Sequence, residues 1–180
     1  VDRIHKAQNH LHHLYEEVRS YAAPRNLHRE SCHLAEVWRD TWSQLEIMRR
    51  DKPVLLREEI NSPAMTVEGD AFSLGQVFRN IFENAIVACH EPAEVVVAAS
   101  ADLIDGRTAV RVSIRDNGPG LKAEEIQHIF DPFYTTKTKG TGLGMAIAKR
   151  IIEAHGGRIA VGKRRSPGAE IILLLPTERV

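Results

Sequence analysis

Two asparagines, Asn80 and Asn84, stand four residues apart in the segment FRNIFENAIVA. A helix places both on one face, and Asn forms helices poorly, so their position among apolar residues requires a reason. An Asn carboxamide oxygen can ligate Mg²⁺, which prefers oxygen donors together with substrate phosphates. The spacing therefore indicates a metal-binding helix face, and a plain polar helix edge remains the alternative.

Asp116 directly follows a predicted strand and opens the run Asp-Asn-Gly-Pro-Gly. A carboxylate at this place can accept a hydrogen bond from an exocyclic amine such as that of adenine. Gly118 and Gly120 permit close approach of the backbone to a ligand. An ordinary turn is the alternative interpretation.

The next candidate stretch is IFDPFYTTK at residues 129–137. Phe130 and Phe133, beside a proline in a polar loop, could anchor a lid, and Lys137 could reach a phosphate. A small hydrophobic cluster beneath a loop is the alternative.

A glycine-rich loop follows, with Gly140, Gly142 and Gly144 before an apolar helix pattern. Free backbone N–H groups at a helix N-terminus favour anions, phosphate above all. The G-x-G-x-G spacing differs from both the dinucleotide fingerprint and the Walker A loop. Each of these four stretches is a weak signal when taken singly.

The elements that must position these residues follow from periodicity and turn residues. The patterns predict helices at about 2–23, 33–50, 70–90 (capped by Asp70), 122–130 and 142–155, and strands at 53–60, 94–101, 109–115, 158–163 and 169–175. Turns are expected at Asp105-Gly106 and Pro167-Gly168, and a helix end at Gly156-Gly157. This order favours an α+β fold, a two-layer α/β sandwich with one mixed sheet covered on one face by helices.

The charge balance argues against a nucleic-acid binder that depends on overall positive charge, because Lys+Arg and Asp+Glu both number 24, and leaves a local basic patch as the alternative. The two cysteines, Cys32 and Cys89, form no disulfide framework and favour a reducing, cytoplasmic setting. The chain opens with Val1 inside a helical pattern, so we interpret it as a piece of a longer protein whose parent is compatible with membrane anchoring.

The four stretches occur in a fixed order, and in that order they resemble the N, G1, F and G2 boxes of sensor histidine kinases. The matching segments are FRNIFENAIVA, DNGPG, IFDPFYTTK and KGTGLGMAIAKRIIEAHGG. This family belongs to the wider superfamily of gyrase, the chaperone Hsp90, histidine kinases and MutL. The NAIVA and TTK segments are similar to the nitrogen-regulation subtype. The resemblance covers about residues 53–176 and implies the Bergerat-type ATP-binding fold.

The resemblance also implies the role of each site residue. Asn84 would bind Mg²⁺, with Asn80 supporting the metal and phosphates, and Asp116 would bind the adenine amino group. Gly118 and Gly120 would shape the adenine pocket. A mobile lid of about residues 131–143, called the lid segment below, would be anchored by Phe130 and Phe133. Its Lys137, together with Gly140, Thr141, Gly142, Leu143 and Gly144, would border the triphosphate. Glu83 would orient or deprotonate the histidine that receives the phosphoryl group, and a plain exposed helix carboxylate is the alternative.

Three domains follow from this resemblance. Residues 1–24 are similar to the second helix of a dimerisation and phosphotransfer bundle, and their heptad pattern supports this independently. Residues 25–52 would form a linker and the first helix of the catalytic domain, and 53–180 its remainder. No histidine stands in the usual phosphoacceptor motif; neither His155 nor the N-terminal His5, His10, His12 and His13 does. The acceptor is therefore expected on a dimerisation helix outside this chain, and the implied partners are a second copy and a response regulator.

Two alternatives stay open. The first is an ATP-hydrolysing member of the superfamily, but those have a Glu base one helical turn before the metal ligand, where this chain has Asn80. The second is a degenerate nucleotide-sensing or dimerisation module. The chain also departs from the family pattern at Val87, where a Lys is frequent. Arg79, Lys137 or Lys139 could supply the missing positive charge.

Overall fold

The computed structural model describes residues 8, 11, 15, 18, 19, 21, 26–50, 52–60, 65–137, 140–163 and 168–178. Within them lie the strands β1 (Glu30–His33), β2 (Val54–Ile60), β3 (Thr66–Gly69), β4 (Ala93–Ile104), β5 (Arg107–Asp116), β6 (Arg158–Val161) and β7 (Glu170–Pro176). The helices are α1 (Leu34–Gln44), α2 (Glu46–Arg49), α3 (Ala71–Ala88), α4 (Ala123–His128) and α5 (Gly144–Ala154).

A five-stranded sheet with the order β2-β4-β5-β7-β6 forms one layer. Strands β2 and β4 pair in parallel, and the other neighbours are antiparallel, so the sheet is mixed as predicted. Asp105 and Gly106 both have positive φ, at 51° and 79°, which makes the tight two-residue turn expected between β4 and β5. The α+β sandwich is confirmed.

The second layer consists of helices whose apolar faces pack on the sheet. Helix α3 contacts both α1 and α5. Trp38 of α1 meets Phe78 of α3 edge-on at 5.9 Å, and Trp42 meets Phe82 in the same way at 5.1 Å. Both phenylalanines are fully buried. Because α3 buries this face, its asparagines are left on the side that looks towards the lid segment.

The ends of α3 and α5 are set by the residues that the sequence indicates. The Asp70 carboxylate accepts a hydrogen bond from the Ser73 N–H at 2.8 Å and caps α3. Helix α5 ends at Ala154 and is followed by Gly156, where φ is 76°, and the Gly157 N–H donates to the Ile152 carbonyl at 2.9 Å. Both termini are therefore fixed by local chemistry.

Three predictions need correction or fall outside the described residues. The expected helix 33–50 is interrupted at Leu45, whose ψ of 11° is not helical, so α2 is a separate short helix. The two-stranded sheet of β1 and β3 was not predicted; it pairs two short segments that lie far apart in sequence. Most of 2–23, including its histidines, lies outside the described residues, as does Pro167; residues 8, 11, 15, 18, 19 and 21 are helical.

The N-terminal segment contacts the sandwich at helix α5. The Arg150 guanidinium lies 4.8 Å from the centre of the Tyr21 ring and donates a hydrogen bond to the Tyr21 carbonyl. Arg29 donates to the Ala154 carbonyl at 2.8 Å. In the described part of the chain, no helix has the length and apolar character needed to cross a bilayer.

Candidate functional site

A cavity of ≈ 480 Å³ lies between α3, the end of β5 and the lid segment. Ligand sites of drug-sized molecules have volumes of this order. Ten of the residues singled out from sequence line it: Asn80, Glu83, Asn84, Asp116, Gly120, Lys137, Gly140, Thr141, Gly142 and Gly144. The structure thus brings together residues from all four sequence motifs.

Asp116 ends β5 at the floor of the cavity and uses one carboxylate oxygen for the backbone. Its Oδ1 accepts hydrogen bonds from the N–H groups of Gly118, at 2.8 Å, and Ala169, at 3.2 Å. Burial raises the pKa of Asp116, and the two backbone donors oppose that rise. These contacts fix the carboxyl group and leave Oδ2 as the oxygen that can accept a hydrogen bond from a ligand amine.

Asn80 joins α3 to the glycine-rich loop. Its Nδ2 donates to the main-chain oxygen of Gly144, the first residue of α5, at 2.8 Å. A Cβ on Gly144 would meet the Asn80 side chain at ordinary contact distances of 3.5 Å and more. Asn80 therefore positions the start of α5, where unpaired helical N–H groups are available to an anion.

Asn84 lies one turn further along α3 and faces Lys137 of the lid segment. The Lys137 ammonium donates to Asn84 Oδ1 with a separation of 2.5 Å. Partial burial lowers the pKa of Lys137, and the Glu83 carboxylate opposes that effect. The Asn84 oxygen is thus directed at a cation and into the cavity.

That oxygen fits a Mg²⁺ ligand, because a cation already lies against it in the structure. Among the described residues, no group of three or more His, Cys, Asp or Glu side chains could hold a metal by itself. Mg²⁺ commonly binds through one or two protein oxygens together with substrate phosphates and water. The donor set around Asn84 therefore suits a metal that arrives with a phosphorylated ligand.

Glu83 lies on the same stretch of α3, next to two cationic side chains. Its carboxylate is 3.8 Å from the Arg79 guanidinium, and its charge acts on Lys137. Arg79 also donates to the Gln44 side chain at 2.7 Å. Of the three cations considered in place of a Lys at position 87, Lys137 lines the cavity, Arg79 does not, and Lys139 lies outside the described residues.

The glycine-rich loop is shaped by its contact with the beginning of the lid segment, at Phe133. Gly142 has a φ of 72°, and a Cβ at that position would lie 2.5 Å from the Phe133 carbonyl carbon. The Gly142 carbonyl accepts a hydrogen bond from the Phe133 N–H at 3.0 Å. Only glycine fits at this crossing of the two chain segments.

Four of the singled-out residues do not line the cavity: Gly118, Phe130, Phe133 and Leu143. Gly118 supports the site from behind, because a Cβ there would lie 2.4 Å from the Ala88 carbonyl oxygen. Leu143 is fully buried in the core, so its side chain cannot contact a phosphate. The roles of Gly118 in shaping the adenine pocket and of Leu143 in bordering the triphosphate stay predictions.

The two phenylalanines expected to anchor the lid segment differ in their burial. Phe130 packs against the core cluster. The Phe133 side chain is 63% exposed, and the anchoring role of both residues stays a prediction. Phe133 adopts a positive φ of 66° and contacts the glycine-rich loop through its backbone hydrogen bond to Gly142.

Sequence reasoning missed several apolar residues of the cavity. Met48 comes from the short helix α2, while Ile114 and Ile171 project from the sheet. The alternation of buried positions in β5 and β7 marks Ile114 and Ile171 as inward-facing. No sequence pattern indicated that Met48 lines the cavity, because its position there depends on the interruption of the helix at Leu45.

Asn117 also has a role that the sequence did not reveal. Its Nδ2 donates to the carbonyl oxygens of His90 and Pro92, at 3.2 and 2.6 Å, and its Oδ1 accepts from the Glu94 N–H at 3.2 Å. It therefore ties the loop after α3 to the end of β5, next to Asp116.

Comparison with known proteins places this site in a family. Residues 69–179 match the family described as histidine kinase-, DNA gyrase B-, and HSP90-like ATPase. The sensor histidine kinase ZraS of Escherichia coli O157:H7 is 35% identical over 135 residues, which are 73% of this chain and 29% of that protein. The chain therefore spans less than a third of that relative's length.

Solved structures agree with this result. The catalytic domain of histidine kinase ThkA is 33% identical with a TM-score of 0.72, covering 83% of this chain and 96% of that domain. Full-length ShkA in complex with AMPPNP is 29% identical with a TM-score of 0.81, covering 97% and 37%. ThkA in complex with the response regulator TrrA is 29% identical with a TM-score of 0.79, covering 98% and 50%.

The fold and the cavity define an ATPase-type nucleotide-binding domain of the two-layer sandwich class. The chain belongs to the histidine kinase-, DNA gyrase B-, and HSP90-like ATPase family, and its named relatives include sensor histidine kinases.

Proposed function

We propose that this chain is the catalytic domain of a two-component sensor histidine kinase and transfers the γ-phosphoryl group of ATP to a histidine. The observation that carries the proposal is the single cavity that holds the Asp116 carboxylate, the Asn84 amide oxygen and the glycine-rich loop. The Asp116 carboxylate matches the adenine amino group, the Asn84 oxygen matches a metal ion, and the glycine-rich loop matches the triphosphate. The complex of ShkA with AMPPNP supports a nucleotide of this kind.

In the transfer, the bond between the γ-phosphorus and the β–γ bridging oxygen breaks, and a bond from phosphorus to a histidine nitrogen forms. ADP leaves, and the ring proton that the histidine loses passes to solvent. When bound, Mg²⁺ would neutralise charge on the phosphates. Asp116 orients the base, the start of α5 holds phosphate oxygens, and Lys137 supplies a mobile positive charge. Such positioning and charge stabilisation are the main contributions of a protein to phosphoryl transfer.

Glu83 is proposed to orient the incoming histidine by accepting its ring N–H. The carboxylate lines the cavity beside the lid segment and lies 3.8 Å from the Arg79 guanidinium. An imidazole is already nucleophilic when neutral, so orientation by Glu83 is of more use than strong basicity.

The partners and location are part of the same proposal. A phosphoacceptor histidine on a dimerisation helix, a second copy of the parent chain and the receiver domain of a response regulator would complete the pathway. The complex of ThkA with TrrA supports the last of these. A cytoplasmic location and the nitrogen-regulation subtype stay predictions.

A superfamily ATPase is less well supported. Asn80 stands where those enzymes are expected to have a Glu base, and its amide donates to Gly144 rather than being free to activate water. A degenerate module without nucleotide binding is the remaining alternative, and it is open to a direct test.

The test is calorimetric titration with a non-hydrolysable ATP analogue, with and without Mg²⁺, of the chain and of Asp116→Asn. The variant keeps an oxygen that accepts from the backbone N–H groups, but it presents an N–H donor to the adenine amino group, which is itself a donor. We expect its affinity to fall by about tenfold to a hundredfold, the factor for a hydrogen bond to a charged group. The matched control is Asp102→Asn, on the exposed end of β4. No saturable binding by the unaltered chain would overturn the proposal.

Phosphoryl transfer needs a separate readout. Because no histidine here stands in a phosphoacceptor motif, we expect little or no acid-labile phosphate on the chain itself after incubation with labelled ATP. A strong acid-labile phosphohistidine on this chain would contradict that expectation.

A further inference from the structure

Lys137 and Asn84 form a contact between the lid segment and α3, across 53 positions of sequence. The ammonium nitrogen lies 2.5 Å from the amide oxygen, which is the atom that the proposed function assigns to the metal. The contact therefore involves the same oxygen atom that a metal ion would use.

The backbone around Lys137 is held on both sides. Its N–H donates to Thr135 Oγ1 at 3.1 Å, and its carbonyl accepts from the Gly140 N–H at 3.1 Å. A Cβ on Gly140 would collide with Thr135 Oγ1, at 2.5 Å, so Gly140 and Thr135 lie close together. The Lys137 backbone is therefore tied to the first glycine of the loop.

A metal ion and the Lys137 ammonium would compete for the Asn84 oxygen. Mg²⁺ binds its oxygen ligands at roughly 2.0–2.1 Å in near-octahedral geometry. An ammonium at hydrogen-bonding distance from the same oxygen would place a unit charge close beside the divalent ion, and the two would repel each other. Binding of one cation therefore disfavours the other.

We propose that Lys137 is a built-in cation that holds the lid segment on Asn84, and that Mg²⁺ entering with ATP displaces it. The inference rests on the proposed function, since it requires Mg²⁺ and ATP in this cavity. Metal binding then releases the lid segment from α3, and the displaced ammonium becomes available to the phosphates. Lys137 acts as a positioning residue for the lid segment.

The first arm of the test uses no nucleotide. Hydrogen exchange of residues 134–137 is measured in the unaltered chain, in Lys137→Met, in Asn84→Ala and in the double variant. Each single change should accelerate exchange by about three- to tenfold, corresponding to about 0.7 to 1.4 kcal/mol. The double variant should be no faster than either single variant, because both remove the same contact.

The second arm measures the Mg²⁺ enhancement, the ratio of the ATP dissociation constant in EDTA to that in saturating Mg²⁺. In Lys137→Met this ratio should rise by about three- to tenfold, since the metal no longer displaces a competitor and metal-free ATP loses a cation. Lys149→Met is the matched control: its exposed ammonium pairs with Glu153 on α5, and neither readout should change.

Accelerated, non-additive exchange together with a raised Mg²⁺ enhancement would support the exchange of cations. Unchanged exchange in Lys137→Met, or additive effects in the double variant, would overturn it even if ATP binds normally. Absence of ATP binding to the unaltered chain would instead overturn the proposed function, and the metal exchange with it, whatever the first arm shows.

Discussion

Asn80 on α3 donates its side-chain amide to the main-chain oxygen of Gly144 at the first residue of α5, with 2.8 Å between the two atoms. The two residues are 64 positions apart in sequence. This bond connects the helix that carries the candidate metal ligand with the loop expected to hold phosphates. Asn80 is therefore assigned a positioning role by geometry.

Replacing Asn80 by Asp tests this bond. The carboxylate cannot donate to the Gly144 carbonyl and repels it, so the free energy of unfolding should fall by about 1–3 kcal/mol, and nucleotide affinity should fall with it. Urea unfolding and calorimetry measure the two effects. Asn84→Asp is the comparison, because its side chain meets Lys137 rather than a carbonyl. Equal stability losses in both variants would contradict the role given to Asn80.

Gly142 and Gly106 form a matched pair for the glycine-rich loop. Both have positive φ, but a Cβ on Gly106 meets nothing within 4 Å, whereas one on Gly142 collides with the backbone at Phe133. Gly106→Ala should cost about 1–2 kcal/mol of unfolding free energy and leave nucleotide affinity unchanged. Gly142→Ala should weaken nucleotide binding at least about tenfold, since the loop must move.

Calorimetry on both alanine variants checks this prediction. The same affinity in the two would show that the crossing of the loop and the lid segment has no part in binding.

Asp70 gives a pH dependence of stability. Burial raises the pKa of Asp70, but hydrogen bonds from the backbone N–H groups of Ser73 and His28 outweigh it and leave the pKa below its ordinary value. A carboxyl group whose pKa is lower in the folded state than in the unfolded state stabilises the fold in its ionised form. This stabilisation is fully present at pH values above the unfolded-state pKa, and it is lost as the pH falls through the folded-state pKa.

Asp70→Ala should therefore cost about 1–2 kcal/mol near pH 7, the value of a helix N-cap, and less below about pH 4. Urea unfolding between pH 3 and 7 measures the change, with the exposed Asp40→Ala on α1 as the control. A cost for Asp70→Ala that is the same at both ends of this range would contradict the assignment.

His155 is a structural histidine. Its ring is 2% exposed, Nε2 accepts from the Asp70 N–H at 3.0 Å, and Nδ1 lies 2.7 Å from the Ile151 carbonyl. These partners require the neutral ring with its proton on Nδ1. His155→Ala should cost about 1–3 kcal/mol by leaving a buried N–H unpaired, as thermal unfolding would show. Labelling of His155 by ATP would contradict its burial.

The sequence determined the local features of this protein. The Asp70 cap, the Asp105-Gly106 turn and the Gly156 helix end each depend on a few adjacent residues, and all three are confirmed. Motif order indicated the family and ten residues of the cavity, because the residues that bind one ligand recur at fixed places along the chain. All five strands of the larger sheet were predicted, β2, β4, β5, β6 and β7.

Only the tertiary structure decided which groups meet across long stretches of chain. The bonds Asn80–Gly144, Lys137–Asn84 and Ala169–Asp116 join residues more than fifty positions apart. The exposure of Phe133, the burial of Leu143 and the approach of Met48 likewise depend on how segments pack. Local patterns reflect backbone propensity and periodicity, whereas these contacts arise only when the helices close over the sheet.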